Sequence, residues 1–480
     1  MSSAVTASRS LQVAGSSWRG TPSSDSDGEH RTHSREDPTH AGGLAGWSVL
    51  SADTYGHGMK RMSRILMVSA VSVALTASGT TAVVENTTEK PRAAAVAPVA
   101  TDLSRGPLVS VEHLRTLTAR EVAAELAGDK AGAWDTGAVR YGLDTFRIVY
   151  RTVDSHGRST AASGLLALPQ SGERRLRTVS FTHGTELFKG DVASVSTSVW
   201  DQAPALTYAS AGFATVLPDY LGLGLGPGPH PWMDVPSETT AALDMLRASR
   251  AVATAKGREL RREVLVTGFS QGASAALGLA RSLQEGADGW FRLRAVAPIS
   301  GAYAFRDAEL PALLAGQTEP KASVIYTALI LVAFNRLHHL YDTPAQVFRA
   351  PYDQTIEDLL DGTHTGQEVE AGTPDSIDAL LTPKGRAMLA HPTERLAAAL
   401  RIADGVCTDW TPRAPIRLYY ADGDEQAVTA NTARCHAALR ARGVHAPPID
   451  LGTPDYGGSR HLGSQQAGTA AVVRWFHSLR

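Results

Sequence analysis

Cysteine is nearly absent: Cys407 and Cys435 are the only two in 480 residues. That excludes a disulfide-dense scaffold and a four-thiolate zinc site. Charge of either sign is not in surplus, with 46 Lys+Arg against 48 Asp+Glu and a net charge of −2. Nothing here supplies the basic excess that tracks phosphates, so no nucleic-acid partner is expected. Apolar runs are short as well, and none reaches the roughly 20 residues a membrane-spanning helix needs. No internal repeat is visible. Among the 16 His there is no H-E-x-x-H or comparable ligand spacing, so no metal and no cofactor are expected. What remains is ordinary globular composition, 43% hydrophobic and 20% charged, and a packed core.

The N-terminal region divides sharply. Residues 1–58 hold no Lys and no apolar period across the polar stretch 21–35, which predicts disorder. Met59 then opens MKRMSRILMVSAVSVALTASGTTA, in which Lys60, Arg61 and Arg64 precede an apolar run from Ile65 to Leu75 and small residues follow. This is the layout of an export signal over 59–82, with cleavage expected after Gly79 or Ala82. Such a signal stands at the start of a chain, so translation is expected from Met59 or Met62, with residues 1–58 an artefact of the assigned start. Export would also permit a Cys407–Cys435 disulfide.

The exported part, 83–480, begins with a polar, helical pattern over 101–134. Two β-rich runs, 146–153 and 159–168, flank the turn Asp154-Ser155-His156-Gly157 and predict a hairpin. Short apolar runs at 178–182, 214–218, 264–267, 295–299 and 416–420 have the character of strands buried on both faces. Helical patterns alternate with them, including 238–254 and 273–285. The expected fold is α/β, a mixed and mostly parallel sheet covered by helices. The interval 305–412 breaks the alternation with helical patterns and no convincing strand, and predicts a helical insertion over one edge of the sheet.

Gly268-Phe269-Ser270-Gln271-Gly272 follows the strand 264–267 and opens the helix 273–285. A G-x-S-x-G between a strand and a helix is a nucleophile elbow: the glycines allow a sharp turn, and Ser270 sits at the helix N-terminus, where an oxyanion is stabilised. The oxyanion needs two donors. Gln271 N–H supplies one, and the loop His183-Gly184-Thr185 after strand 178–182 supplies the other through Gly184 or Thr185. His183 itself reads as structural. The order in this architecture is nucleophile, acid, His. The acid falls in Ala421-Asp422-Gly423-Asp424-Glu425 after strand 416–420, with Asp424 the first choice, Asp422 the reserve and Glu425 facing solvent. The base is His461, in a loop between the last strand, 448–451, and a terminal helix 466–479. Ser270 would attack an acyl carbonyl, His461 accept and return the proton, and Asp424 hold the imidazole tautomer.

Taken together, HGT at 183–185, PDYLGLG at 218–224, His230-Pro231-Trp232 followed by ALDMLRA at 242–248, GFSQG at 268–272 and the late D-G-D-E and H-L-G segments resemble the secretory lipase family. This group of α/β-hydrolases includes Candida-type lipase A enzymes and actinobacterial relatives. The resemblance implies an α/β-hydrolase fold with a helical lid or cap before the acid-bearing strand, and an exported ester hydrolase acting on lipid or other acyl esters. It also places Asp219 and Tyr220 as scaffold beside the pocket. The sequence departs from the family at Tyr419-Tyr420-Ala421-Asp422-Gly423-Asp424, where a His-Gly-x-x-Asp arrangement is more usual. The apolar helix 324–341 is either buried within the cap or lines an acyl pocket and touches a lipid interface. The expected partner is an acyl-ester substrate bound by a monomer. Two other readings are an amide hydrolase of the serine aminopeptidase type and a catalytically silent binding protein on the same fold.

Overall fold

The computed structural model describes residues 105–479. The segments expected to be a disordered extension and an export signal, 1–58 and 59–82, lie outside the described residues. Alternating burial along β2 (Leu143–Val153) and an almost wholly buried β3 (Ser159–Pro169) produce the expected hairpin. Asp154 closes its turn by accepting the N–H groups of His156 and Arg158, both at 2.9 Å, an Asx-type arrangement. The remaining strands are β1 (Leu108–Leu117), β4 (Arg175–Thr182), β5 (Ala214–Pro218), β6 (Glu259–Phe269), β7 (Arg292–Ile299), β8 (Leu418–Tyr420) and β9 (Pro448–Asp450). They form one sheet in the order β1-β2-β3-β5-β4-β6-β7-β8-β9. Pairing is antiparallel from β1 through β5 and parallel from there to β9.

Helices cover both faces. On one side α3 (Val235–Ala255) and α4 (Gln271–Gln284) bury Leu246, Leu277 and Leu283 against the sheet. On the other, α1 (Ala119–Ala127), α2 (Val199–Ser210) and α13 (Arg460–Ser478) bury Leu126, Tyr208 and Phe476. Between β7 and β8 the chain leaves the sheet through a π-helical turn, Phe305–Glu309. It then runs through α5 (Leu310–Leu314), α6 (Pro320–His338), α7 (Ile356–Leu359), α8 (Gly366–Gly372), α9 (Ile377–Leu380), α10 (Pro383–Ala390) and α11 (Glu394–Thr408). These helices enclose an apolar cluster of their own around α6. Residues 322–334 of α6 are buried without a break, as a helix that is apolar all round must be. The last helix to be placed, α12 (Ala430–Ala441), is joined to α11 by the Cys407–Cys435 disulfide.

Two sequence expectations fail here. The stretch 101–134 is not helical throughout: of its described residues, 108–117 form β1 and only 119–127 a helix. β1 lies at the sheet edge with most of its side chains exposed, so the two-residue apolar period that marks a half-buried strand is missing. Its ladder to β2 holds it instead, and Thr118 then starts α1 with a capping box to Glu121. The terminal helix also begins earlier than 466, at Arg460, capped by Ser459.

Candidate active site

The carboxyl ends of β6, β8 and β9 bring three sequence-distant residues together. Ser270 stands in the sharp turn from β6 into α4 with φ of 54° and ψ of −121°, a conformation that costs a side-chain-bearing residue energy and persists only where packing enforces it. The enforcement is visible. A Cβ on Gly268 would come within 2.2 Å of Gly272 O and Thr182 Oγ1, and one on Gly272 within 2.1 Å of Thr182 O. Only glycine fits at either place, and the turn presents the serine hydroxyl to His461.

His461 Nε2 lies 2.9 Å from Ser270 Oγ, and its Nδ1 lies 2.9 and 3.0 Å from the two oxygens of Asp424. With a carboxylate facing Nδ1, that nitrogen carries the proton and Nε2 is left to accept from the serine. Asp424 Oδ1 is fixed in turn by the N–H groups of Gln426 at 2.9 Å and Ala427 at 2.8 Å. Both residues are buried, His461 being 2% and Asp424 7% exposed. Burial lowers the imidazole pKa, but the charge and hydrogen bond of Asp424, followed by the charges of Glu425 and Glu309, more than reverse it, and the net shift is upward. Asp422, the reserve for the acid, is exposed and makes no contact with the imidazole; its N–H donates to Gly452 O.

Two of the residues expected to supply oxyanion donors adjoin Ser270. Gln271 is the first residue of α4, and Gly184 packs so close that a Cβ there would lie 3.5 Å from Ser270 Cβ. The Thr185 hydroxyl accepts from Trp232 Nε1 at 2.9 Å. His183 makes structural contacts: its Nδ1–H donates to Gly184 O at 2.8 Å, and its ring packs at a tilt against Tyr220 with centroids 4.3 Å apart. The Tyr220 hydroxyl donates to His183 O. Asp219 is buried beneath, accepting from the Ser163 and Ser194 hydroxyls, and burial pushes it up to about 6.

Several site residues were not expected. Gln271 Nε2 donates to Glu238 Oε1 at 2.6 Å and to His230 Nε2 at 2.8 Å, so two elements pin the side chain of the residue after the serine. Burial drives these groups to neutrality, Glu238 up to about 8 and both His183 and His230 down to about 4. Glu309, in the π-helical turn, accepts from Val428 N and Asn431 Nδ2, fastening the acid loop to the insertion. Glu425, expected to face solvent, is half-buried. Its carboxylate accepts from the Ser459 hydroxyl and from the N–H groups of Arg460 and His461. Ser459 as a helix cap was the one available sequence signal that His461 opens a helix.

A small cavity of about 20 Å³, the room one water needs, lies under the insertion, lined by Glu186 and Trp232 together with Leu329, Val332, Ala333 and Arg336 of α6. The apolar helix is thus buried in the cap while four of its residues face this space. Among the described residues no cluster of His, Cys, Asp and Glu could hold a metal, and no helix is long and apolar enough to cross a membrane.

Compared with known protein families the chain matches no family model, and it matches no curated protein. Solved structures do resemble it. The rice cell wall degrading esterase LipA from Xanthomonas oryzae has a TM-score of 0.69 at 24% identity, covering 78% of this chain and 100% of that one. A candidate hydrolase from Legionella pneumophila has a TM-score of 0.69 at 23% identity, covering 78% of this chain and 98% of its own. Lipase A from Candida antarctica is more distant, with a TM-score of 0.51, 13% identity and coverage of 72% and 76%. Together with the mixed sheet, its two helical layers and the elbow at Ser270, these likenesses identify the architecture as an α/β-hydrolase fold with a helical cap inserted between β7 and β8.

Proposed function

We propose that this chain is a serine ester hydrolase that cleaves acyl esters through an acyl-enzyme. The observation that carries the reading is the unbroken hydrogen-bonded path from Asp424 through His461 to Ser270 on a strained elbow. As Ser270 Oγ attacks the acyl carbon, His461 Nε2 takes its proton, and the tetrahedral oxyanion is held by the N–H of Gln271 and a donor from 184–185. The proton passes to the leaving alkoxide, and a water activated by the same imidazole then releases the acid. Asp424 keeps Nδ1 protonated and stabilises the imidazolium. That two of the similar structures are an esterase and a lipase favours esters over amides. Purified protein should hydrolyse p-nitrophenyl acyl esters and be labelled at Ser270 by a fluorophosphonate; undiminished turnover by Ser270→Ala would remove the serine from the mechanism.

We propose as well that the chain is exported after cleavage near residue 82. The signal layout over 59–82 and the paired Cys407 and Cys435 support this, because disulfides persist in oxidising compartments. The intact mass of the secreted product tests it, and a secreted species that retained residues 1–58 would count against it.

A further inference from the structure

A general base at the N-terminus of a helix has an electrostatic problem. His461 is the second residue of the 19-residue α13, where unpaired N–H groups and the positive end of the helix dipole oppose a protonated imidazole. The same effect keeps a catalytic His neutral where an enzyme needs it so. Here the base must become positively charged during each turnover.

Resting on the ester-hydrolase reading, we infer that Glu425 is a positioning residue for His461: its carboxylate sits on the N-terminus of α13, ties down the backbone of the residue bearing the imidazole, and counters the field there. The contacts are specific. Glu425 Oε2 accepts from Arg460 N at 3.1 Å and both oxygens from His461 N at 3.3 Å, while Oε1 accepts from the Ser459 hydroxyl. Consecutive carboxylates therefore hold one histidine from two directions, Asp424 by the ring and Glu425 by the backbone. The Glu425 carbonyl also accepts from Glu319 N at 2.7 Å at the start of α6, and Gln426 Oε1 accepts from the Tyr326 hydroxyl of the same helix. Residues 424–426 thus join the cap to the base.

The titratable groups facing the imidazole are Asp424, Glu425 and, from the π-helical turn, Glu309. Phe269 covers one side of the ring at a centroid distance of 4.7 Å. The guanidinium of Arg460 lies over Gly423 instead. Glu425 is the one carboxylate of the three that bonds the helix end itself.

Glu425→Gln keeps an acceptor oxygen and removes the charge. The limb of kcat/KM that reports His461 deprotonation should move down by roughly one pH unit, and kcat on the plateau should fall about tenfold with KM little changed. Glu425→Asp keeps the charge and should restore the limb toward its wild-type position. Ser459→Ala removes the cap and one partner of the carboxylate; it should lower thermal stability and leave the limb in place. A variant too slow to profile gives the same limb through the pH dependence of fluorophosphonate labelling. An active wild type with an unmoved limb in Glu425→Gln, or equal shifts in the Gln and Asp variants, overturns the inference. A wild type inert to both esters and fluorophosphonate overturns the hydrolase reading and the inference with it.

Discussion

Asp422 and Asp424 stand two residues apart in one loop, yet only Asp424 is buried and aimed at an imidazole, with two backbone N–H groups holding it. Asp424→Ala should therefore reduce kcat/KM by about 10³- to 10⁴-fold, the loss expected when the tautomer of a catalytic His is no longer fixed, whereas Asp422→Ala should stay within about twofold, since exposed substitutions rarely matter. Equal losses in both would reject the assignment. Because His461 is held above its ordinary value, the acidic limb of the rate profile should lie above pH 6.5, the neutral imidazole being the reactive form. A limb well below pH 6 would contradict this. At this scale the site was legible where a residue follows a strand in a fixed order, which is how Ser270, Asp424 and His461 were found. Glu425 was not, because its partners lie 34 to 36 residues away and a third acid in a polar loop has the pattern of a solvated one. Glu238 was hidden in the same way, inside a helix whose sequence gives no sign that it meets Gln271.

Among elements, legibility followed burial. The strands 178–182, 214–218, 264–267 and 295–299 are buried on both faces and announce themselves as apolar runs. β1 carries its ladder on an exposed edge, and the four- to eight-residue helices of the cap are too short to develop a period. The disulfide joins α11, the last helix of the cap, to α12, which follows the acid loop, across a separation of 28 residues. A loop of that length corresponds to roughly 3–4 kcal/mol of stabilisation on the chain-entropy view. Reduction, or Cys407→Ser with Cys435→Ser, should lower the unfolding free energy by up to that amount, read from urea titration with and without reductant; coincident curves would show that the bond does not stabilise the fold. Tyr326→Phe tests the contact between α6 and the acid loop. It leaves Gln426 Oε1 buried without its donor, at a cost of about 1–3 kcal/mol, and should lower kcat by severalfold through the looser loop. Unchanged stability and rate would mean the contact is idle.

For the whole molecule the governing fact is how many acids are buried. Burial holds Glu238 up at about 8, Glu309 and Asp201 at about 7, Asp219 and Asp404 at about 6, and Glu186 well above its usual range. Each retains in the folded state a proton that the unfolded chain releases near pH 4. Each therefore contributes stability that is fully present below about pH 4 and lost as pH climbs through the folded value. His461, also raised, adds stability present below pH 6.5 and lost above it. His183 and His230, both lowered to about 4, act oppositely: their contribution is present above pH 6.5 and lost as pH falls toward 4. Below pH 6.5 the two histidines offset part of the acid effect; above it they have no further influence, and the raised acids and His461 all act in the same direction. Resistance to urea should therefore decline steadily between about pH 6.5 and 9, and Glu238→Gln, which cannot ionise, should flatten that decline. Over the same interval the deprotonation of His461 raises activity, so the pH of greatest stability lies below the pH of greatest rate. Urea midpoints that rise from pH 6.5 to 9 would show that these carboxyls are not held neutral.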